Sequence, residues 1–217
     1  MKKILLSLAV ILTAMTSNAQ LPSGSVAPNF TGTDLDGNTW ELYDLLDQGY
    51  RVVIDISATW CGPCWAYHNS GALEGLWEQY GPDGTNEVMV FFIEGDAATT
   101  NDDLHGTGSS TQGDWVTGTG YPIIDDANIA NLYEITYFPT IYTICPSRIV
   151  TETSQISTED HYAFIQQNAC SPASEPNDPS LVSYNGTTAT CSSVDVLVTL
   201  QNFGTSPLTS CTIEVTG

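Results

Sequence analysis

The sequence predicts an α/β domain whose sheet is covered on both faces, followed by a short β-rich segment. Apolar, β-branched runs alternate along residues 50–170 with stretches that have helical periodicity. With 217 residues, of which 41% are hydrophobic, the chain can bury a substantial core. A stretch with three prolines, residues 171–180, then separates this region from a tail in which apolar and polar residues alternate.

The first residues, "MKKILLSLAVILTAMTSNAQ", have the pattern of a secretory signal. Lys2 and Lys3 precede an apolar run, and the small residues Ser17 and Ala19 precede Gln20. The apolar run is shorter than the roughly 20 residues of a membrane-spanning helix. We therefore expect residues 1–19 to be a cleaved signal peptide, the mature chain to lack a membrane span, and the protein to be secreted or periplasmic.

The charge balance excludes one class of partner. Beyond residue 19, two arginines, Arg51 and Arg148, face 25 aspartates and glutamates. A surface of this charge repels phosphate backbones, so no nucleic-acid partner is expected.

The first elements follow from local patterns. "DLDGN" indicates a turn between two extended segments. It does not begin a calcium-binding loop, because such a loop needs glycine and glutamate at the positions that Thr39 and Leu45 occupy here. "YRVVIDIS" is typical of a buried strand, "WAYHNSGALEGLWEQYG" has helical spacing that ends at Gly81-Pro82, and "EVMVFFIEGD" predicts a second buried strand.

The second half of the domain has the same alternation. A long loop over residues 97–122 precedes a short helix in "DANIANLYEI" and a strand in "FPTIYTIC". Residues 148–153 are expected to pair with that strand. "STEDHYAFIQQNAC" begins with a capping-box pattern, Ser157 or Thr158 with Asp160, and predicts the last helix.

The C-terminal region reads as a second, incomplete unit. Residues 171–180 form the expected linker, and residues 181–217 alternate around an Asn/Gly/Thr/Ser turn in the manner of a β-hairpin. An immunoglobulin-like sandwich needs about 100 residues. Residues 181–217 are therefore predicted to be part of a β-sandwich-like domain.

Six cysteines follow the predicted signal, and six cysteines allow 15 pairings. Their order along the chain suggests Cys61–Cys64, Cys145–Cys170 and Cys191–Cys211. We expect the last two pairs to be structural disulfides, since exported proteins can keep them.

Cys61 and Cys64 invite a different explanation. No second CxxC accompanies them, which argues against zinc, and Trp65 stands where a haem-attachment motif needs histidine. A disulfide that closes so short a loop adds little stability. Cys61 follows a strand and begins a helix, where a thiolate is stabilised, and Cys64 lies one turn later on the same face. The pair is predicted to be redox-active. His68, one turn further on, is expected to face solvent rather than to bind metal or donate a proton.

"VVIDISATWCGPC" resembles the active-site segment of the thioredoxin superfamily, and "FPT" at residues 138–140 resembles its cis-proline loop. The resemblance covers about residues 23–170. It implies a thioredoxin-like fold over residues 20–170, with a central mixed sheet flanked by helices, and no cofactor beyond the Cys61–Cys64 disulfide.

Residue roles follow from this resemblance. It implies that Cys61 is the nucleophile, that Cys64 resolves the mixed disulfide, and that Asp55 is a buried acid that assists proton transfer at Cys64. A water-facing Asp55 at a strand end is the alternative. The residues that it implies at the substrate-docking surface are Trp60, Gly62, Pro63, Phe138 and Pro139.

The chain also departs from the superfamily pattern. Tyr137 stands where many relatives have a small residue, and the loop over residues 97–122 is longer than the thioredoxin plan. Trp115 and Tyr121 in this loop either contact a partner or anchor the loop.

The predicted function is an exported thiol–disulfide oxidoreductase that acts on protein disulfides or dithiols and exchanges electrons with a redox partner that the sequence does not identify. Two alternatives remain. One is a thiol peroxidase of the peroxiredoxin kind, although that family places its cysteine in a Thr-x-x-Cys setting. The other is a non-catalytic thioredoxin-like binding or adhesion module. The direction of electron flow is open.

Overall fold

The computed structural model describes residues 20–166, 179–184, 198–202 and 208–213. The predicted signal peptide, Cys170 and Cys191 lie outside these residues. The division into signal, domain, linker and β-rich segment therefore stays a prediction.

The described residues form nine strands and six helices. The strands are β1 (Thr31–Thr33), β2 (Thr39–Glu41), β3 (Arg51–Ser57), β4 (Val88–Glu94), β5 (Ile123–Asp125), β6 (Thr140–Ile144), β7 (Val150–Glu152), β8 (Pro179–Tyr184) and β9 (Val198–Asn202). The helices are α1 (Leu42–Asp47), α2 (Gly62–His68), α3 (Ala72–Tyr80), α4 (Asn101–Leu104), α5 (Ala127–Leu132) and α6 (Thr158–Phe164).

A five-stranded mixed sheet organises the domain, as predicted. Its strand order is β5-β4-β3-β6-β7. β3, β4 and β5 run parallel, while β6 runs antiparallel to both β3 and β7. The two central parallel strands are buried almost throughout, which explains their unbroken apolar runs. Asp55 lies in β3, opposite Phe92 on one neighbour and Ile141 on the other.

Side chains pack on both faces of the sheet. One core contains Val53, Phe92 and Leu76, with helices α2, α3 and α6 around it. The other contains Ile54, Phe91 and residues of α1 and α5. The two faces alternate residue by residue along β3 and β4, as the period of a strand requires.

The single helix predicted after the cysteine pair is wrong in its extent. The structure has two helices here, α2 and α3, separated by a turn in which Gly71 has a left-handed φ of 72°. Glycine adopts this conformation at little cost, so the chain changes direction there. The helical spacing of the apolar residues continues across the break, which is why the pattern did not reveal it.

The long loop over residues 97–122 is anchored by its aromatic residues. Trp115 is fully buried and Tyr121 is 4% exposed. The loop contains α4, which begins with a capping box formed by Thr100 and Asp103. Of the two alternatives for Trp115 and Tyr121, the structure supports anchoring.

The turn at residues 34–38 is organised by its own carboxylate. Asp34 Oδ1 accepts the backbone N–H groups of Asp36 and Asn38, and Oδ2 accepts the indole N–H of Trp40.

Among the described residues, no group of three or more acidic, histidine or cysteine side chains is arranged to bind a metal.

The C-terminal segment corrects two predictions. β9 pairs with β8, which begins inside the predicted linker, whereas residues 208–213 of the predicted hairpin lie outside the strands. Alternation specifies which side chains share a face but leaves the partner strand open. Cys211 is a free, exposed thiol, so the predicted Cys191–Cys211 disulfide is absent. Cys145 is disulfide-bonded, and its predicted partner Cys170 lies outside the described residues.

Within the residues described, none of the helices is long and apolar enough to cross a bilayer.

Candidate active site

The cysteine pair lies where the central strand β3 gives way to helix α2. Cys61 is the N-cap residue of this helix, and the sulfur of Cys61 accepts the backbone N–H of Cys64 at 3.2 Å. The two sulfurs are bonded in a disulfide, with the Cα atoms 5.3 Å apart. Cys61 is 4% exposed and Cys64 is completely buried. An incoming sulfur can therefore reach Cys61 more easily than Cys64.

Asp55 lies inside the domain, six residues before Cys61 in the chain. Its side chain is completely buried, which excludes the water-facing alternative. The hydroxyl of Ser57 donates to Oδ1 at 2.5 Å, while Oδ2 has no hydrogen-bond partner. Burial raises the pKa of Asp55 from 3.8 to about 7, against the smaller lowering effect of the Ser57 hydrogen bond. Asp55 can therefore take up or release a proton near neutral pH.

Trp60 and the proline loop meet beside the disulfide. The Trp60 side chain is 45% exposed, and its ring packs edge-on against Phe138 with ring centroids 6.1 Å apart. The Phe138–Pro139 peptide bond is cis, as the resemblance implies. Gly62 and Pro63 are exposed in the first turn of α2. The structure thus brings Trp60 and Phe138 of the predicted docking surface into contact.

Tyr137, the departure from the superfamily pattern, directly precedes Phe138 in the chain. Its side chain is 53% exposed, and its hydroxyl donates to Oε1 of Glu152. Tyr137 therefore presents an aromatic ring next to the proline loop where a small residue would leave space.

No family model matches the chain, but relatives and solved structures do. The chain is 36% identical over 81 residues to the thiol-disulfide oxidoreductase ResA of Bacillus thuringiensis strain Al Hakam. This aligned region covers 36% of the chain and 43% of the relative. It is 33% identical over 89 residues to ResA of B. thuringiensis subsp. konkukian strain 97-27, covering 40% and 47%. The matches thus span less than half the length of these curated relatives.

The similar structures agree on the fold. The thioredoxin domain of a thiol-disulfide oxidoreductase from Bacteroides vulgatus superposes with a TM-score of 0.50 at 20% identity, covering 68% of this chain and 97% of that domain. A candidate protein disulfide isomerase from Bacteroides thetaiotaomicron gives 0.51 at 21% identity, covering 68% and 87%. The chain has a thioredoxin-like fold.

Within this thioredoxin fold, a second buried carboxylate lies next to the active-site segment, and sequence reasoning missed it. Glu94, the last residue of β4, is completely buried. Its Oε2 accepts the backbone N–H of Thr59 and its Oε1 accepts that of Asp96, both at 2.9 Å. Burial raises the pKa of Glu94 to about 7, although these hydrogen bonds act in the opposite direction. The sequence signal for this site is the glutamate at the end of the otherwise apolar run "VMVFFIE".

The prediction that His68 faces solvent is wrong. His68 is half-buried, and its ring stacks on Trp65 with centroids 5.5 Å apart and lies 5.0 Å from that of Trp115. Its Nδ1 lies 3.3 Å from the hydroxyl oxygen of Tyr121. Burial lowers the pKa of His68. The long loop covers this side of α2, which a helical pattern alone does not predict.

Proposed function

We propose that the chain is a thiol–disulfide oxidoreductase that exchanges disulfides with proteins through Cys61 and Cys64. The observation that carries this proposal is the Cys61–Cys64 disulfide at the start of α2, with the completely buried Asp55 in the adjoining strand. The curated relatives that match the chain are named thiol-disulfide oxidoreductases, which supports the same activity.

In the reducing direction the cycle has two exchange steps. The Cys61 thiolate attacks one sulfur of a substrate disulfide, a bond forms between them, and the other substrate sulfur leaves as a thiolate. The Cys64 thiolate then attacks the Cys61 sulfur, which forms the Cys61–Cys64 disulfide and releases the second substrate thiolate. Two electrons pass from the cysteine pair to the substrate, and the released thiolates take up two protons. The same steps in reverse oxidise a substrate dithiol.

Asp55 supplies the proton acceptor for the second step. Cys64 is completely buried, so water cannot directly accept the proton of its thiol. A carboxylate with a free Oδ2 and a pKa of about 7 can accept that proton at neutral pH and return it in the reverse direction.

The docking surface comprises the exposed parts of Trp60, Gly62 and Pro63 together with the Phe138–Pro139 loop. An aromatic ring and an exposed backbone beside the disulfide suit an extended protein segment that carries a cysteine. We therefore take protein disulfides and dithiols as the substrate class, with a further dithiol or disulfide protein as the redox partner.

We also propose that the protein acts outside the cytoplasm. The signal pattern of residues 1–19 and the acidic mature sequence support export to the periplasm or the medium. Disulfides persist there, so substrates for exchange are present.

Insulin reduction in the presence of dithiothreitol tests the proposed activity. The wild-type protein should accelerate the precipitation of the insulin B chain, and Cys61→Ser should reduce the rate to the dithiothreitol background. Cys211→Ser is the matched control, because it removes an exposed thiol elsewhere and should keep the wild-type rate. Equal rates for wild type and Cys61→Ser would refute the proposal, and peroxide consumption that depends on Cys61 would favour a peroxidase.

A further inference from the structure

Glu94 is the last residue of β4 and lies at the C-terminal end of the parallel strands, where the active-site segment leaves β3. β3 and β4 are parallel, and Glu94 is opposite Ser57, the last residue of β3. Side chains alternate along strands, so Glu94, Ser57 and Asp55 share one face of the sheet. This is the face that α2 covers. Glu94 is completely buried beneath the chain that leads to Cys61.

The two oxygens of Glu94 accept two backbone N–H groups that are both connected to Trp60. One accepts the N–H of Thr59, the residue before Trp60. The other accepts the N–H of Asp96, whose own Oδ2 accepts the Trp60 indole N–H at 2.7 Å. A single carboxylate therefore fixes both the backbone that carries the indole and the residue that binds its ring.

The long loop completes the surroundings of the same segment. The backbone N–H of Gln112 donates to the carbonyl oxygen of Thr59 at 2.9 Å, and the Gln112 side chain donates to that of Trp60 at 2.8 Å. The Thr59 hydroxyl donates to the Ser110 carbonyl oxygen. The loop thus binds the carbonyl groups of Thr59 and Trp60 and the Thr59 hydroxyl, while Glu94 binds the Thr59 N–H from the sheet.

Stability alone does not account for this arrangement. Burial of a carboxylate is unfavourable, and its hydrogen bonds offset that cost only in part. The contacts converge on a residue whose side chain is 45% exposed and packs against Phe138 beside the disulfide. An exposed indole contributes little to a core, but its orientation matters to a protein that docks there.

We propose that Glu94 is a positioning residue for protein-disulfide exchange, which orients Trp60 at the rim of the Cys61–Cys64 site through its hydrogen bonds to Thr59 and Asp96. This inference rests on the proposed function. Glu94 touches neither the sulfurs nor the substrate. Its effect should therefore appear in the recognition of protein substrates and not in the intrinsic reactivity of Cys61.

Glu94→Gln is the primary test. The amide of glutamine offers one acceptor oxygen and turns a donor toward the other backbone N–H, so one of the two hydrogen bonds is lost. We expect kcat/KM for insulin to fall on the order of tenfold, through KM, which corresponds to about 1.4 kcal/mol. The rate constant for reduction of hydroxyethyl disulfide, which is too small to use the docking surface, should stay at the wild-type value.

The controls separate this inference from simpler explanations. Glu78→Gln removes the same charge from an exposed position of α3 and should leave both rates unchanged. A purely structural role for Glu94 would lower the active fraction and reduce both rates equally, which would overturn the proposal. A Glu94→Gln protein with wild-type rates for both disulfides would overturn it as well.

Asp96→Ala keeps the proposal testable if Glu94→Gln does not fold. Asp96 is half-buried, and this change leaves its N–H in place while it removes the acceptor of the indole and of the Ala98 N–H. A rise in KM for insulin alone would support the proposal, and unchanged kinetics would overturn it. Wild type and Cys61→Ser are measured in parallel, so failure of the proposed function appears as a wild-type rate at background.

Discussion

Replacement of Asp55 by asparagine separates the charge of this side chain from its shape. The folded protein raises the pKa of Asp55 to about 7 by burial, whereas the ordinary value for an exposed aspartate is about 3.9. The native state therefore keeps the proton over a pH range in which the unfolded chain has already released it. Asparagine has nearly the same volume and does not ionise.

The size of the effect follows from the two pKa values. Below pH of about 4 both states of the wild type are protonated, and the contribution of Asp55 to stability is fully present. Between pH of about 4 and 7 the unfolded state binds fewer protons, so stability decreases with rising pH by about 1.36 kcal/mol for each pH unit. The loss reaches roughly 4 kcal/mol above the folded pKa, a large part of the 5–15 kcal/mol typical of a domain.

Urea denaturation of the oxidised proteins at several pH values between about 4 and 8.5 measures this difference. Relative to wild type, the free energy of unfolding of Asp55→Asn should rise by roughly 4 kcal/mol from the acidic to the alkaline end. Asp83→Asn, at an exposed position, is the control and should follow the wild-type curve. A difference between Asp55→Asn and wild type that does not change with pH would refute the assignment of Asp55 as a buried acid that titrates near neutrality.

Two further changes test the exchange step and the long loop. Cys64→Ser should accumulate a mixed disulfide between Cys61 and a protein substrate, which is visible on non-reducing gels. The double variant Cys61→Ser/Cys64→Ser should lack this adduct. Equal amounts of adduct in the two variants would show that the exposed Cys211 forms it. Trp115→Ala should lower the free energy of unfolding by about 3–5 kcal/mol in urea, because Trp115 is fully buried; a loss of less than about 1 kcal/mol would show that the ring does not anchor the loop.

Local patterns were sufficient for the elements that create the reactive centre. The run "YRVVIDIS" became the central strand β3, and the WCGPC segment began helix α2 at the position the pattern predicts. Continuous apolar character marks a strand buried on both faces, and proline in the first turn marks a helix start. These signals lie within a few residues of the features that they predict.

Contacts between distant parts of the chain were not predictable in this way. Glu94 binds Thr59 across 35 residues, and no local pattern records that pairing. His68 was expected at the surface because the helical pattern contains no information about the loop that packs over α2. The pairing of β9 with β8 was missed for the same reason, since alternation is the same for any partner strand.

The two buried carboxylates on one face of the sheet differ in their hydrogen bonds. Both Asp55 and Glu94 are completely buried, and burial raises the pKa of each to about 7. Glu94 accepts backbone N–H groups at both oxygens, so its position is fixed by Thr59, which precedes Trp60, and by Asp96, which binds the Trp60 indole. Asp55 accepts one hydroxyl and leaves Oδ2 without a partner, which keeps an oxygen available for a proton. Since the pKa of each is raised to about 7, both amide variants should change the pH dependence of stability. The proposed roles distinguish the two variants by kinetics, because Glu94→Gln should raise the KM for protein substrates.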